Sequence, residues 1–382
     1  MKTTVQNILV ISDPPAKPGY LPRVRYLCDY LVRKGHSVTL LTEQYQTLEF
    51  EHTYPVVTIP MYNGRTADWM CKAIWTLVTD WHNRSFARRS LHQSAVIHPS
   101  WDLVICTTFN DFPLGAARRI ARQLNVPLIC DIRDLDEQVD DSHYQYRHQA
   151  WWVRPFRRLY RAFHIRRRNA VLRTADAITT VSPWHAEFIR TITGNRIPVS
   201  VLYNGYDDKQ FYPHDIPTER FSVVYIGSLF NWQKPALEKV RQAVDELNKS
   251  KISDCKSQIF LDIHTPQHDP IAHDRLGETI RRSSVMLVLT GEQTHGMLTT
   301  KFYEALGCEK PVLCVPSDKG SLAELIQHTN AGIATDDPER IKAFLIEKQH
   351  EWQQRRFTRQ ATQHREQFSR EAQYDQFYRT SL

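Results

Sequence analysis

Residues 7–42, NILVISDPPAKPGYLPRVRYLCDYLVRKGHSVTLLT, spell out one strand–helix–strand unit. Asn7–Ile11 is an apolar run of strand length. Arg23–Lys34 carries Val24, Leu27, Cys28 and Leu31 at helical spacing and stops at Gly35, the residue favoured just past a helix end because it accepts a left-handed backbone. Arg33 and Lys34 in the last turn complement the helix dipole. Ser37–Leu41 reads as the next strand. Two strands joined through one helix run parallel, because an antiparallel pair would need only a tight turn.

The same alternation recurs along the chain. Leu103–Thr107, a helix over Leu114–Leu124 and the strand Pro127–Ile132 form one repeat; Ala177–Ser182, a helix after Pro183 and Val199–Tyr203 form another. Further on, Phe221–Ser228, Gln258–Ile263, Val285–Thr290, Val312–Pro316 and Gly332–Thr335 read as strands. Lys234–Leu247, Thr299–Leu306 and Gly320–Gln327 read as the helices among them. Asp337-Pro338-Glu339 is a helix start, with an N-cap, a proline at the first position and an acid in the first turn. Residues 204–218 (NGYDDKQFYPHDIPT) lack periodicity and hold two prolines, so they are expected to link two domains. The expected fold is α/β, with two doubly wound Rossmann-like domains facing a cleft, over 1–205 and 206–365. A helix in 366–382, carrying Phe368, Tyr374, Phe377 and Tyr378, is expected to return to the first domain. Ligands of such sheets sit at the carboxyl ends of the strands.

A length of 382 residues suits two domains, and 41% hydrophobic residues suffice for two cores. No window is apolar enough for a membrane span. MKTTVQNILVIS has no signal-peptide core or cleavage site, so a cytoplasmic location is expected. The seven cysteines, at 28, 71, 106, 130, 255, 308 and 314, stand singly, which predicts buried free thiols. A net charge of +7 points to an anionic partner.

Several segments resemble the retaining GT-B glycosyltransferases of family 4, in the right order. Residues 7–42 are similar to the family's opening, including GHxV before the second strand. WDLVICTT (101–108) and NVPLICDIRDLDE (125–137) resemble the third unit as found in bacterial surface-polysaccharide enzymes. LRTADAITTVSP (172–183) and VSVLYNGYDDKQFYP (199–213) resemble the passage between the domains, and FSVVYIGSLFNWQK (221–234) the opening of the donor domain. GMLTTKFYEALGCEKPVLCV (296–315) resembles the donor-site helix. The resemblance implies a transferase that moves a sugar, with retention, from a nucleotide diphosphate sugar to a saccharide or polyprenyl-diphosphate-linked acceptor, in bacterial surface-polysaccharide synthesis. The donor is a substrate; no cofactor is implied. Alternatives on this architecture are a nucleotide-sugar epimerase and a non-catalytic partner subunit.

Donor-binding candidates are Gly227, Ser228, Lys234, Thr300, Lys301 and Glu304. The helix starting near Thr299 aims backbone N–H groups and its positive dipole at a diphosphate. Either Lys301, in its first turn, or Lys234, after the Gly227–Ser228 loop, reaches the phosphates; each also reads as surface charge. Glu304 matches the second Glu of the family's Glu-x7-Glu motif, which implies ribose binding, and otherwise reads as a solvated helix residue. The motif's first Glu falls on Gly296, and the second domain has HTPQHDP (264–270) where the family has a Gly-x-Gly turn. In the first domain Arg133 replaces a frequent His. Arg133 and Asp134 are candidates for contact with phosphate or an acceptor hydroxyl, or else pair with each other to support their loop. Gly19 is a candidate for close approach to the acceptor, or a plain turn. No metal site is expected: His264, His268 and His273 are loosely spaced, and Asp136, Glu137, Asp140 and Asp141 read as solvated loop charge.

Residues 144–173 interleave nine arginines with Trp151, Trp152, Phe156, Leu159, Tyr160 and Phe163. Residues 69–91 hold Trp69, Trp75, Trp81 and Phe86 with Lys72, Arg84, Arg88 and Arg89. Basic helices with aromatic anchors suit an anionic membrane surface, here through Trp151, Trp152, Arg154, Phe156, Arg157 and Arg158. The protein is then expected on the inner face of the plasma membrane. The competing reading makes the aromatics core and the arginines solvated. Nucleic acid is not expected as a partner, since no nucleic-acid module is present.

Overall fold

The computed structural model describes residues 6–13, 22–44, 52–61, 75–76, 78–97, 100–108, 111–138, 154–249, 258–291 and 296–381. These fall into two compact units. One lies within Met1–Gln138, Tyr144–Leu202 and Tyr378–Leu382, the other within Tyr203–Phe377.

The first unit holds β1 (Asn7–Ser12), α1 (Pro22–Arg33), β2 (Ser37–Glu43), β3 (Val56–Ile59), α2 (Trp81–Leu91), α3 (Ser94–Ile97), β4 (Leu103–Thr108) and α4 (Leu114–Leu124). It continues with β5 (Leu128–Ile132), α5 (Arg154–Leu172), β6 (Ala177–Thr180), α6 (Pro183–Thr193) and β7 (Val199–Val201). Its seven strands order β3-β2-β1-β4-β5-β6-β7, and every described pairing is parallel. Leu9, Ile11, Val104, Cys106, Cys130 and Ile132 of the sheet pack with Phe86 of α2 and Leu114, Ala117 and Ile120 of α4. Ile8 and Val10, of opposite parity, are buried as well, as are Val24, Leu27 and Leu31 of α1. A strand buried on both faces reads as a continuous apolar run, which is what NILVIS and LVIC are.

A polar rung crosses this core. Thr107, Asp131 and Thr179 are register partners on β4, β5 and β6. Both hydroxyls donate to Asp131, each at 2.8 Å. Arg23, at the start of α1, donates from Nε (2.8 Å) and Nη2 (2.7 Å) to the same carboxylate. Burial opposes ionisation of Asp131, but Arg23 and the two hydroxyls outweigh it and hold the carboxyl below its ordinary range. The ion pair therefore pins α1 near the carboxyl ends of the strands.

The second unit holds β8 (Phe221–Ile226), α7 (Lys234–Lys249), β9 (Ile259–His264), α8 (Leu276–Arg282), β10 (Val285–Leu289), α9 (Thr300–Gly307), β11 (Val312–Val315), α10 (Ser321–His328), β12 (Gly332–Ala334), α11 (Pro338–Arg355) and, as far as Phe377, α12 (Arg370–Ser381). The strand order is β12-β11-β10-β8-β9. Alternate residues of β10 serve two cores. Val285, Leu287 and Leu289 face α7 and α11, while Met286 and Val288 join α9 and α10. Helices thus cover both faces, and the expected pair of Rossmann-like sheets is present. At the sheet edge Gly332 lies opposite Val312 with φ +154°, and a Cβ there would stand 2.0 Å from the Val312 carbonyl oxygen. Only glycine fits.

Three expectations need correction or completion. Residues 204–218 are more than a linker, because Tyr206 and Phe211 are buried in the core of the second unit. Lack of periodicity concealed two aromatic anchors. β3 was not foreseen, being four residues long at a sheet edge, and neither was the seven-residue α8. The last helix runs to Ser381, and Tyr378 in it meets His36 of the GHxV segment, Oη to Nε2 at 3.0 Å, within the first unit.

The described cysteines, Cys28, Cys106, Cys130, Cys308 and Cys314, are buried free thiols. Burial raises their pKa values, that of Cys308 to about 12. No helix among the described residues is long and apolar enough to cross a membrane.

Candidate functional site

In the second unit three of the donor candidates, Gly227, Lys301 and Glu304, lie close together. Thr299 caps α9, its hydroxyl accepting from the Lys301 N–H at 3.4 Å, so Lys301 stands in the first helical turn. Gly227 ends β8 with φ +126°, and a Cβ on it would lie 2.5 Å from Lys301 Cε and 2.7 Å from Nζ. The lysine therefore occupies the space a side chain would fill. Its Nζ is also 5.8 Å from the centroid of the Tyr225 ring. Burial disfavours the ammonium and lowers its pKa, while Glu304, one turn on, pulls the other way. Burial raises the pKa of half-buried Glu304, against the opposing pull of Lys301 and Arg370. A cation short of solvent at a helix N-terminus is stabilised by an incoming anion, and a phosphate brings that charge.

The loop after Gly227 is clamped by residues the sequence did not single out. Tyr225 Oη donates to the Ser228 carbonyl at 2.6 Å. Gln233 donates from Nε2 to the Leu289 carbonyl (2.9 Å) while its Oε1 accepts from the Phe230 N–H (3.0 Å). The Gly227 N–H donates to the His264 carbonyl at 2.8 Å, tying the loop to the HTPQHDP turn. Lys234 opens α7 and is exposed, as is Thr300 at the first turn of α9. Among the described contacts only Lys301, of the two candidate lysines, meets Gly227.

In the first unit Arg133 is buried, and its guanidinium pairs with Asp13 at 2.5 Å rather than with Asp134. Burial raises the Asp13 pKa, with Arg133 opposing. Asp134 is raised by burial too, and accepts weakly from Gln138 at 3.5 Å. Glu137 is not solvated loop charge: Arg168 grips it through two hydrogen bonds of 2.8 and 2.6 Å.

The arginines of α5 divide into two sets. Arg168 is buried, Arg161 donates to the Asp136 carbonyl, and Arg167 donates to the Thr76 carbonyl at 2.7 Å. Arg154, Arg157 and Arg158 are exposed beside Phe156 and Leu159, which are 52% and 50% accessible and stand one turn apart. In the other basic stretch Phe86 is core, Trp81 packs against that core and Trp75 is exposed. Gly19, Trp69, Lys72, Asp140, Asp141, Trp151 and Trp152 lie outside the described residues.

Two parallel doubly wound sheets in one chain are the architecture of the GT-B fold. Residues 19–205 match the family model described as the glycosyl transferase 4-like domain. No curated protein matches the sequence. Solved structures carry the likeness over the whole chain. Sucrose-phosphate synthase from Thermosynechococcus elongatus is 17% identical with a TM-score of 0.62, covering 98% of each chain. HepE from Anabaena, solved in complex with UDP-glucose, is 14% identical with a TM-score of 0.58, covering 98% of this chain and 99% of its own. WaaG, a glycosyltransferase involved in lipopolysaccharide biosynthesis, is 12% identical with a TM-score of 0.53, covering 98% and 95%. At these identities the likeness is one of fold. The fold is thus that of the two-domain GT-B proteins, and residues 19–205 are similar to the glycosyl transferase 4-like domain.

Proposed function

We propose that this protein transfers a sugar, with retention, from a nucleotide diphosphate sugar held by the second unit to a saccharide acceptor served by the first. The observation that carries this reading is Lys301, set in the first turn of α9 against Gly227, where an ammonium stands ready for a diphosphate. The anomeric C–O bond to the diphosphate breaks, negative charge develops on the leaving oxygen, and Lys301 with the N–H groups of α9 stabilises it. The leaving phosphate takes the proton of the acceptor hydroxyl as the new bond forms on the same face. Glu304 is assigned to the ribose hydroxyls, since a carboxylate accepts from two vicinal O–H groups. HepE, of the same fold, was solved with UDP and with UDP-glucose.

A thermal-shift series with UDP, GDP, ADP and CMP tests this, because a ligand that binds only the folded chain raises its midpoint by mass action. One nucleotide is expected to raise it, and the rise is expected to vanish in Glu304→Ala. A well-folded sample that answers none of the four would favour the non-catalytic partner subunit instead.

The acceptor we assign is membrane-linked, carried on a polyprenyl diphosphate in surface-polysaccharide synthesis. Support comes from Phe156 and Leu159, exposed among Arg154, Arg157 and Arg158 on α5. Apolar groups ringed by arginines bind anionic headgroups and the acyl boundary together. The chain is expected to sediment with phosphatidylglycerol vesicles and not with phosphatidylcholine, and Phe156→Ser with Leu159→Ser should weaken that. Equal sedimentation with both lipids would rule out the charge-directed surface.

A further inference from the structure

His264 ends β9 as the register partner of Ile226 on β8. Register partners of neighbouring strands point to one face of the sheet. Ile226 packs on the core that contains Phe302 and Tyr303, so the half-buried His264 side chain lies on the face that α9 covers. It stands one strand spacing, about 4.8 Å, out from the strand end where Lys301 meets Gly227. The ring is held from one side. Asp269, left-handed at φ +53°, brings a carboxylate oxygen to His264 Nδ1 at 2.8 Å and its own carbonyl oxygen at 3.2 Å. Both are acceptors, so Nδ1 donates and the opposite edge, with Nε2, has no hydrogen-bond partner among the described residues. Polar groups at the other strand ends are engaged: Thr290 donates to the Pro316 carbonyl at 2.5 Å, and Asp336 accepts from the Ser317 N–H at 2.6 Å.

A second observation points to the same kind of ligand. Phe230, three residues past Gly227, is 49% accessible. It is nevertheless fixed, stacked on Trp232 with centroids 6.0 Å apart at 3°, and its N–H is held by Gln233 Oε1. A fixed aromatic face and a fixed hydrogen-bonding ring at the ends of adjacent strands suit a flat heterocycle. We infer that His264 is a specificity-determining residue for the nucleotide, its Nε2 bonded to the edge of the base. Phe230 offers the base a face, and Asp269 is a positioning residue for His264. A base edge carries donors and acceptors side by side, so it pairs with the imidazole in either protonation state, whereas a phosphate pairs only with the imidazolium. The transferred sugar is the end of the donor that must reach the acceptor, and the nucleoside end stays with the second unit.

This assignment deepens the donor-site reading and rests on it. The test is calorimetry on the full chain with UDP, GDP, ADP, CDP and inorganic pyrophosphate, which has the phosphates and no base. One nucleotide is expected to bind about tenfold or more tighter than the rest. His264→Ala should cut that lead about tenfold and leave pyrophosphate binding unchanged. Asp269→Ala should move the preference in the same direction. Phe230→Ser should weaken all four nucleotides about tenfold and again spare pyrophosphate. Asp269 and Phe230 are exposed, so their variants read the inference even where His264→Ala fails to fold. Equal loss of nucleotides and pyrophosphate in His264→Ala would make His264 a phosphate ligand and overturn the inference. An unchanged preference in both His264→Ala and Asp269→Ala overturns it as well. Pyrophosphate binding with no preference among the nucleotides overturns it and leaves the donor site standing. Binding of neither nucleotide nor pyrophosphate overturns the donor-site reading and this inference together.

Discussion

Arg23→Met is expected to destabilise the first unit by about 3–5 kcal/mol, the cost typical of removing one partner from a buried ion pair. Asp131 would remain on β5 with hydrogen bonds from Thr107 and Thr179 but no cation. Denaturant melts at several pH values separate this from a loss of packing. In the natural protein the Asp131 pKa is depressed, so its contribution is complete above the unfolded value of about 4 and is lost as pH falls through the folded value. In the variant, burial without Arg23 raises that pKa above the unfolded value, so acidification from neutral pH relieves the strain. The gap between the two proteins should therefore narrow as pH falls. A gap that is constant with pH would mean that the methionine disturbs α1 by shape alone.

Lys301→Met is expected to leave the second unit folded and to weaken nucleotide binding about 10–100-fold, as loss of a charge-assisted hydrogen bond worth roughly 1.5–3 kcal/mol implies. The effect on turnover should be larger, about 10²–10³-fold, because the ammonium answers charge that develops only as the glycosidic bond breaks. Calorimetry with the responding nucleotide, beside initial rates, separates the two effects. Lys301→Arg is not expected to rescue either one. A forked guanidinium does not replace a compact ammonium in the space over Gly227. If Lys301→Met bound nucleotide as well as the natural protein, the phosphate contact would pass to Lys234, exposed at the start of α7.

Local signals were faithful where the chemistry is local. Ser182 caps α6 with Pro183 at its first position, and Gly194 closes that helix in the left-handed region. Asp337 caps α11 by accepting from the Glu339 N–H at 2.9 Å. Gly35 follows α1 with φ +92°. Each of these needs only neighbours within a turn, so three or four letters specify it. The helix start at Thr299 and the glycine turn after β8 were legible for the same reason. Thr299 and Lys301 belong to one helix start, and Gly227 follows the apolar strand FSVVYI directly.

The charge pairs of the first unit were not legible in that way. Asp13 and Arg133 are 120 positions apart, and nothing around either residue names the other. His164 sits in RAFHIRR, where its neighbours suggest only a basic helix face, and Asp111 sits in a loop. The arginines of α5 looked alike in sequence. Whether each reaches solvent, a carboxylate or a carbonyl depends on its angle about a helix docked on a sheet.

The sequence by itself determined the alternation of strands and helices, the two parallel sheets and the helix start that carries Lys301, because periodicity, caps and glycine turns are set by backbone geometry over a few residues. Tertiary structure alone decided which charges are paired. The Thr107–Asp131–Thr179 rung with Arg23, the Asp13–Arg133 pair and the Asp111–His164 pair each join strands, loops or helices distant in the chain. Such pairs form because a buried charge must find a partner in three dimensions, and sheet register with helix docking, not spacing in the sequence, fixes which partner is within reach.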